Sequence, residues 1–165
     1  MSISIQIATL KDIPKILDIV NDAIANTTSN YNYEPQTIAE QVKWFEDKKS
    51  KNFPVFVALS HNVIIGFASY GTFREKIGYK FTVEHSVYID ENHRGKGIGQ
   101  MLLQKLIDTA KTQNIHVMIG CIDASNKKSI LFHEKFGFII SGTISEVAFK
   151  FDRWLDLVIM QLNLK

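Results

Sequence analysis

The sequence predicts a single α/β domain: a mixed, mostly antiparallel sheet containing one parallel strand pair and flanked by helices. Three observations lead there. Ile3, Ile5 and Ile7 alternate with polar residues, and two further apolar runs over 53–59 and 63–73 are joined by a tight turn at His61-Asn62, which makes neighbouring strands antiparallel. A helix-length amphipathic segment lies between the apolar runs 81–89 and 116–122, so those two strands are joined by a crossover and pair in parallel. The chain of 165 residues, 45% of them hydrophobic, can bury one substantial core and shows no linker, internal repeat or low-complexity segment.

Each element has its own signal. Ile3, Ile5 and Ile7 open the chain as a half-buried strand. Thr9 stands where a cap belongs, with Asp12 three positions on and Pro14 in the first turn, and Ile13, Ile16, Leu17, Val20 and Ile24 then share one helix face. A second helix is expected over about 35–48, with Ile38, Val42 and Phe45 at helical spacing. After the hairpin and the strand over 81–89 comes Arg94-Gly95-Lys96-Gly97-Ile98-Gly99, and then a long helix whose apolar stripe is Ile98, Leu102, Leu106 and Ala110. The strand over 116–122 leads to a short helix over 126–135 that ends at Gly137, and strands over 138–143 and 155–162 complete the chain.

Three glycines in five residues, with Arg94 and Lys96 among them, describe a backbone built to approach phosphate. Glycine removes the Cβ barrier to close contact, and the helix that follows offers unpaired N–H groups at the positive end of its dipole. The spacing is not that of a P-loop, which needs Lys-Ser or Lys-Thr after the last glycine, nor of the dinucleotide fingerprint G-x-G-x-x-G. The composition narrows the partners. With 19 basic against 17 acidic side chains the net charge is +2, and no recognition motif for nucleic acid is present. The densest basic cluster, Lys48-Lys49-Ser50-Lys51, reads as the solvated end of a helix. No apolar run approaches the ~20 residues of a membrane span and the first residues do not read as an export signal, so a cytoplasmic protein is expected. Cys121 has no Cys-x-x-Cys partner, so neither a disulfide framework nor a metal site is expected; it reads as a small buried strand residue and not as a nucleophile.

The pattern R-x-x-G-x-G at Arg94, Gly97 and Gly99 resembles the acyl-CoA pyrophosphate loop of the GNAT N-acetyltransferases. The resemblance extends to Val83-Glu84-His85-Ser86-Val87-Tyr88 before the loop, to Asn126 and Ser129 with Leu131-Phe132-His133-Glu134-Lys135-Phe136-Gly137-Phe138, and to Phe149-Lys150-Phe151-Asp152-Arg153-Trp154-Leu155-Asp156. It covers essentially the whole chain and, within the family, is similar to the phosphinothricin and methionine sulfoximine acetyltransferase subgroup. It implies the acyl-CoA N-acyltransferase fold, acetyl-CoA as cofactor, a small amino-acid-like amine as acceptor and a homodimer.

Transfer of an acetyl group to an amine needs a neutral amine, because an ammonium is no nucleophile. Glu84, on the strand before the glycine turn, either accepts that proton, directly or through water, or binds the ammonium by charge. His85 faces the opposite side of the strand and is the weaker base candidate. The resemblance implies that the backbone of Val87, Tyr88 and Ile89 pairs with the pantetheine arm in a slot between the two parallel strands, and that Arg94, Gly95, Lys96, Gly97, Ile98 and Gly99 receive the pyrophosphate. Asn126 caps a helix, binds the cofactor, or does both, beside Ser129. His133 stands where many family members carry a tyrosine that protonates the departing thiolate; it is a candidate catalytic acid in that place, or a cofactor neighbour that hydrogen-bonds the coenzyme sulfur, or a half-buried helix histidine beside Phe132 and Phe136. On the acceptor side the subgroup's pattern implies that Arg74 clamps a carboxylate, with Tyr31 and Phe73 as pocket walls and Lys76 in solvent. A non-catalytic acyl-CoA sensor and an acetyltransferase of peptide or protein N-termini are the two other readings.

Overall fold

The computed structural model describes residues 3–165. Ile3–Ile7 (β1), Val55–Ser60 (β2), Val63–Thr72 (β3), Thr82–Ile89 (β4), Val117–Asp123 (β5), Ile139–Lys150 (β6) and Arg153–Asn163 (β7) form one sheet in the order β1-β2-β3-β4-β5-β7-β6. Every neighbouring pair is antiparallel except β4 and β5. The helices are Ile13–Asn26 (α1), Ile38–Ser50 (α2), Ile98–Thr112 (α3) and Lys127–Glu134 (α4). None of them is long and apolar enough to cross a membrane.

Caps decide where the first two helices begin. The Thr9 amide donates to Asp12 Oδ2 at 2.7 Å, and a single 3-10 turn over Leu10–Asp12 leads into α1 with Pro14 at its start. The buried face carries Ile13, Ile16, Ile19, Val20, Ala23 and Ile24, while Leu17, expected on that face, is only half-buried. The second helix starts at Ile38 and not near 35, because Thr37 and Glu40 make a reciprocal capping box there, with the Thr37 amide 2.7 Å from Glu40 Oε2. Its first residue then turns outward: Ile38 is 48% exposed, and Gln41 and Phe45 take the inward positions.

The sheet separates two cores. On one face α1 and α2 close over Val55, Val57 and Phe67; on the other α3 lays Leu102, Leu103 and Leu106 against Phe56, Ile65, Val83 and Met118. Strand β6 runs on to Lys150, seven residues beyond its expected end. The extension is an edge strand exposed over most of its length, with register shifts after Ile140 and Ile144, so it lacks the apolar alternation that marks a strand in sequence. It turns into β7 through Phe151 and Asp152, both with left-handed backbone (φ 52° and 58°).

A pair of histidines joins β4 to α4 within the core behind β5. The rings of His85 and His133 stack with centroids 5.1 Å apart and their Nε2 atoms lie 3.2 Å apart. Gly120 of β5 makes room for them, since a Cβ there would stand 3.2 Å from His85 Nε2 and 3.4 Å from His133 Cδ2. His133 Nδ1 is 2.7 Å from the Ser129 carbonyl oxygen, which can only accept, so Nδ1 carries the ring proton. His133 Nε2 is then a lone pair that accepts from His85 Nε2–H, and His85 Nδ1 is left buried with no hydrogen-bond partner among the described residues. Burial, and after it the neighbouring His133, pushes the His85 pKa down to about 3, while burial lowers that of His133 against the opposing pull of the Ser129 carbonyl.

The pair therefore makes stability depend on pH in a definite direction. An unfolded histidine takes a proton below about pH 6.5 and folded His85 does not, so stability is complete above that value and falls as pH drops toward 3. Urea unfolding at pH 7 and pH 4.5 is expected to show the wild type losing roughly 2 to 3 kcal/mol more than His85→Gln, at about 1.4 kcal/mol per pH unit. Equal losses would mean that His85 takes up its proton inside the fold.

Candidate active site

Pairing between β4 and β5 is confined to Thr82, Val83 and Glu84 against Val117, Met118 and Ile119. Beyond that point the strands part. The outer side of β4 stays bonded to β3 as far as Ile89, and the outer side of β5 to β7 as far as Asp123, so the facing backbone groups of both strands are left without a strand partner. The gap is a cleft of about 1030 Å³ that runs from the glycine turn past Val87, Tyr88 and Ile89 to Asn126, Ser129 and His133.

The glycine turn closes one end. Gly95 and Gly97 both hold left-handed backbone (φ 77° and 78°), and Gly97 is the N-cap of α3 without any side-chain cap. Among the described residues no turn or cap hydrogen bond uses the amides of Gly95, Lys96, Gly97, Ile98 or Gly99, so the first turn of α3 presents free donors. Gly99 has ordinary helical backbone; a Cβ there would meet Phe132 at 3.6 Å, an ordinary contact, so it is the cleft and not the fold that favours glycine. Arg94 is half-exposed with Nη2 3.6 Å from Asp22, while Lys96 bends its Nζ back onto the Asn92 carbonyl at 3.0 Å and does not line the cleft. At the other end Asn126 Oδ1 accepts from the Ser129 amide at 3.1 Å and caps α4, as expected.

Glu84 occupies the last paired position of β4 and points to the sheet face opposite His85. Its cross-strand neighbour on β3 is Gly71, and a Cβ on Gly71 would overlap the ammonium of Lys48. The missing side chain at 71 thus lets Lys48 reach across from α2 and stand directly beside Glu84. The ammonium donates to the Tyr70 carbonyl at 2.9 Å and lies 5.7 Å from the Trp44 ring and 5.8 Å from that of Phe53. Burial pulls the Lys48 pKa down to about 8, with Glu84 opposing the shift. For Glu84 burial raises the pKa, opposed by a hydrogen bond from the Cys121 thiol and by the charges of Lys48 and Arg74. Cys121 is an exposed residue of β5 and not the buried one expected from its apolar neighbours, and burial of the thiol beside the Glu84 charge pushes its pKa up to about 12. That leaves it a thiol donor and no nucleophile.

Arg74 is exposed on the loop after β3, its guanidinium 5.3 Å from the Phe73 ring, which in turn meets Tyr79 edge-on at 5.8 Å. Tyr31 lies over β5; its hydroxyl is buried without a partner, and burial followed by the Asp123 carboxylate raises its pKa. The residues expected around an acyl-CoA therefore line one cleft, Lys96 excepted; of those expected around an acceptor, none lines it: Arg74 stands by Phe73 with its charge acting on Glu84, and Tyr31 lies near Asp123 and Cys121 of β5. Sequence reasoning missed Lys48 and Cys121. The one available signal was Gly71, because a glycine inside a strand marks a close approach by another group.

The cleft fits acetyl-CoA by the chemistry of its donors: free amides and Arg94 at the glycine turn for a pyrophosphate, and unpaired strand backbone for an amide-bearing arm. Comparison with known proteins agrees. An L-methionine sulfoximine/L-methionine sulfone acetyltransferase from Pseudomonas aeruginosa is 46% identical over 99% of this chain and 96% of its own. A phosphinothricin acetyltransferase from Sinorhizobium meliloti, solved in complex with acetyl-CoA, superposes with a TM-score of 0.96 at 32% identity, covering 99% of this chain and 89% of the other. A structure described as a ribosomal-protein-alanine N-acetyltransferase from Brucella melitensis superposes equally well (TM-score 0.96) at 41% identity, covering 97% and 99%. The family model for GNAT acetyltransferases matches residues 17–138, and the chain belongs to that acetyl-CoA-dependent family.

Proposed function

We propose that the protein transfers the acetyl group of acetyl-CoA to the primary amine of a small amino-acid-like acceptor such as methionine sulfoximine, methionine sulfone or phosphinothricin, by direct attack in a ternary complex. One observation carries the reading: Glu84 ends the paired part of β4, at the rung after which the strands part, and the charges of Lys48 and Arg74 act on it. A carboxylate in that position suits an ammonium that must lose a proton, and an exposed arginine nearby suits a carboxylate on the same molecule. Bound acetyl-CoA supplies the activated acyl group. Val87, Tyr88 and Ile89 would hold its arm by backbone, the turn from Arg94 to Gly99 would receive its pyrophosphate, and Asn126 and Ser129 would border it.

Glu84 takes the ammonium proton as a base; burial raises its pKa, and the Cys121 thiol and the charges of Lys48 and Arg74 oppose that rise. Tyr31 and Phe73 wall the acceptor. His133 keeps a narrower role than a proton donor: as a neutral ring its only N–H is held by Ser129 and its Nε2 faces His85, so it shapes the cleft wall beside the sulfur. The exposed apolar residues Ile139, Ile140, Ile144, Val147 and Phe149 on edge strand β6 support a homodimer that covers them. An exposed unpaired thiol supports a reducing compartment, the cytoplasm.

A thiol-release assay with acetyl-CoA and a panel of amines tests the assignment, the panel holding the three named acceptors, natural amino acids, polyamines and peptides with N-terminal alanine. Turnover is expected with the amino-acid-like acceptors. Acetyl-CoA binding without turnover of any amine would make the protein a non-catalytic binder, and preference for the peptides would make it a protein acetyltransferase. Glu84→Gln is expected to lower kcat/KM by about 10² to 10³, the usual range for a lost general base; an unchanged rate and pH profile would remove that role. Arg74→Ala is expected to raise KM about 10- to 100-fold for acceptors bearing a carboxylate and to leave polyamines unaffected, which is the loss of a charge-assisted hydrogen bond. Because Lys48 favours the ionised form of Glu84, Lys48→Met raises the Glu84 pKa further and moves the acid limb of kcat/KM to higher pH. An unmoved acid limb would separate Lys48 from the base.

A further inference from the structure

The last residue of β6, Lys150, turns its side chain inward and is 4% exposed. Its ammonium donates to three main-chain carbonyls, those of Ile24 at 2.6 Å, Thr27 at 2.9 Å and Asn30 at 2.6 Å. All three of its N–H groups are thereby used, and among the described residues it makes no ion pair. A lone buried cation is costly unless oxygen atoms converge on it. Here they do so at a favourable place: Ile24 lies in the last turn of α1, whose final carbonyls lack partners within the helix and carry the negative end of its dipole.

The carbonyls belong to a segment that has no helix or strand of its own after Asn26. Thr27, Thr28 and Ser29 line the cleft, and Tyr31 follows them onto β5. Two more ties reach the same segment from the same hairpin end. The Tyr33 hydroxyl donates to the Phe149 carbonyl, and Arg153 Nη2 stands 3.3 Å from Asp123 Oδ2, which also accepts from Thr28 Oγ1 at 2.6 Å. The β6–β7 turn thus holds the segment at its start, middle and end. A side chain needed only to fill space would do so at less cost as methionine or leucine; an ammonium is useful because three separate carbonyls meet there.

We infer that Lys150 is a positioning residue of the acceptor side, whose ammonium fixes the backbone over 24–30 and so holds Thr28, Ser29 and Tyr31 over the gap between β4 and β5. The role in acceptor binding rests on the function proposed above; the tether does not. Lys150 touches no reacting atom, so its loss acts on how well an acceptor is seated and leaves the glycine turn intact.

Hydrogen exchange by mass spectrometry and steady-state kinetics on Lys150→Met and Lys150→Arg test this. Lys150→Met is expected to exchange about tenfold faster over residues 24–33 with α3 and β3 unchanged, to raise acceptor KM about tenfold, and to leave KM for acetyl-CoA within about twofold. Lys150→Arg keeps the charge and is expected to recover part of both losses. Should Lys150→Met fail to fold, Tyr33→Phe cuts the outermost tie, and its exchange over 27–33 is expected to rise about two- to threefold. Unchanged exchange over 24–33 in a folded Lys150→Met protein, or an equal rise throughout the core, would overturn the inference, as would an arginine variant no better than methionine. The exchange measurement needs no acceptor, so it decides the tether even if no amine turns over, and that failure then falls on the proposed reaction alone.

Discussion

Hydrogen bonding between β4 and β5 stops after Glu84 and Ile119, and from there the two strands diverge while each stays bonded on its outer side. A sheet interior normally has no free backbone groups, because an unpaired N–H or C=O away from water costs free energy. Here two facing rows of them survive because the gap is a cleft open to solvent, and any ligand that fills it must bring amide-like partners of its own. The same divergence sets the position of everything else. The glycine turn hangs from the end of β4, α4 begins just after β5, and Glu84 stands at the last rung before the strands separate. One interruption of the ladder therefore creates both the slot for a long cofactor and the point at which a second molecule can reach its end.

The electrostatics follow from which face each residue takes at that rung. His85, one residue beyond Glu84, turns into the opposite core, where burial keeps it neutral against His133. Glu84 turns toward α2 and is also partly desolvated, yet it has Lys48, Arg74 and the Cys121 thiol to offset the cost of its charge. Two adjacent titratable groups on one strand thus meet opposite surroundings, one buried among apolar side chains beside another imidazole and one buried near groups that oppose the rise of its pKa. Gly71 and Gly120 make this possible from the neighbouring strands. The first admits a lysine side chain beside the carboxylate, and the second admits two imidazole rings behind β5.

Much of this was legible in the sequence where a local signal exists. Capping residues, the period of Ile3, Ile5 and Ile7, and the glycine turn each announce a backbone state, and the elements they predicted are present. Misreadings arose where tertiary context decides. Ile38 has helical spacing but sits in the first turn of a helix whose start is set by the Thr37–Glu40 box, so it faces out. Cys121 lies among apolar neighbours, but strand alternation puts it on the face shared with Glu84. The far half of β6 is an edge with no buried face and so has no periodicity to read. Lys48 belongs to a run of lysines that looks like a solvated helix end, and only the opposing Gly71 distinguishes it from Lys49 and Lys51.

Lys48 and Lys150 show why a buried lysine needs its surroundings before it can be interpreted. Both lie close to main-chain carbonyls and, among the described residues, neither is in an ion pair, but the geometry of the two sites differs. Lys48 has one carbonyl and two aromatic faces, and Glu84 exerts the largest charge effect on it, so the cation acts mainly through its field on that carboxylate. Lys150 has three carbonyls on three different residues and no acidic partner, so it acts through the positions of the oxygen atoms it gathers. A compact ammonium with three rotatable donors suits that second task, since it accepts oxygens from several directions, whereas a planar guanidinium prefers a forked partner in one plane. The first lysine opposes the rise in the pKa of the proposed base, and the second orders a loop with no secondary structure of its own.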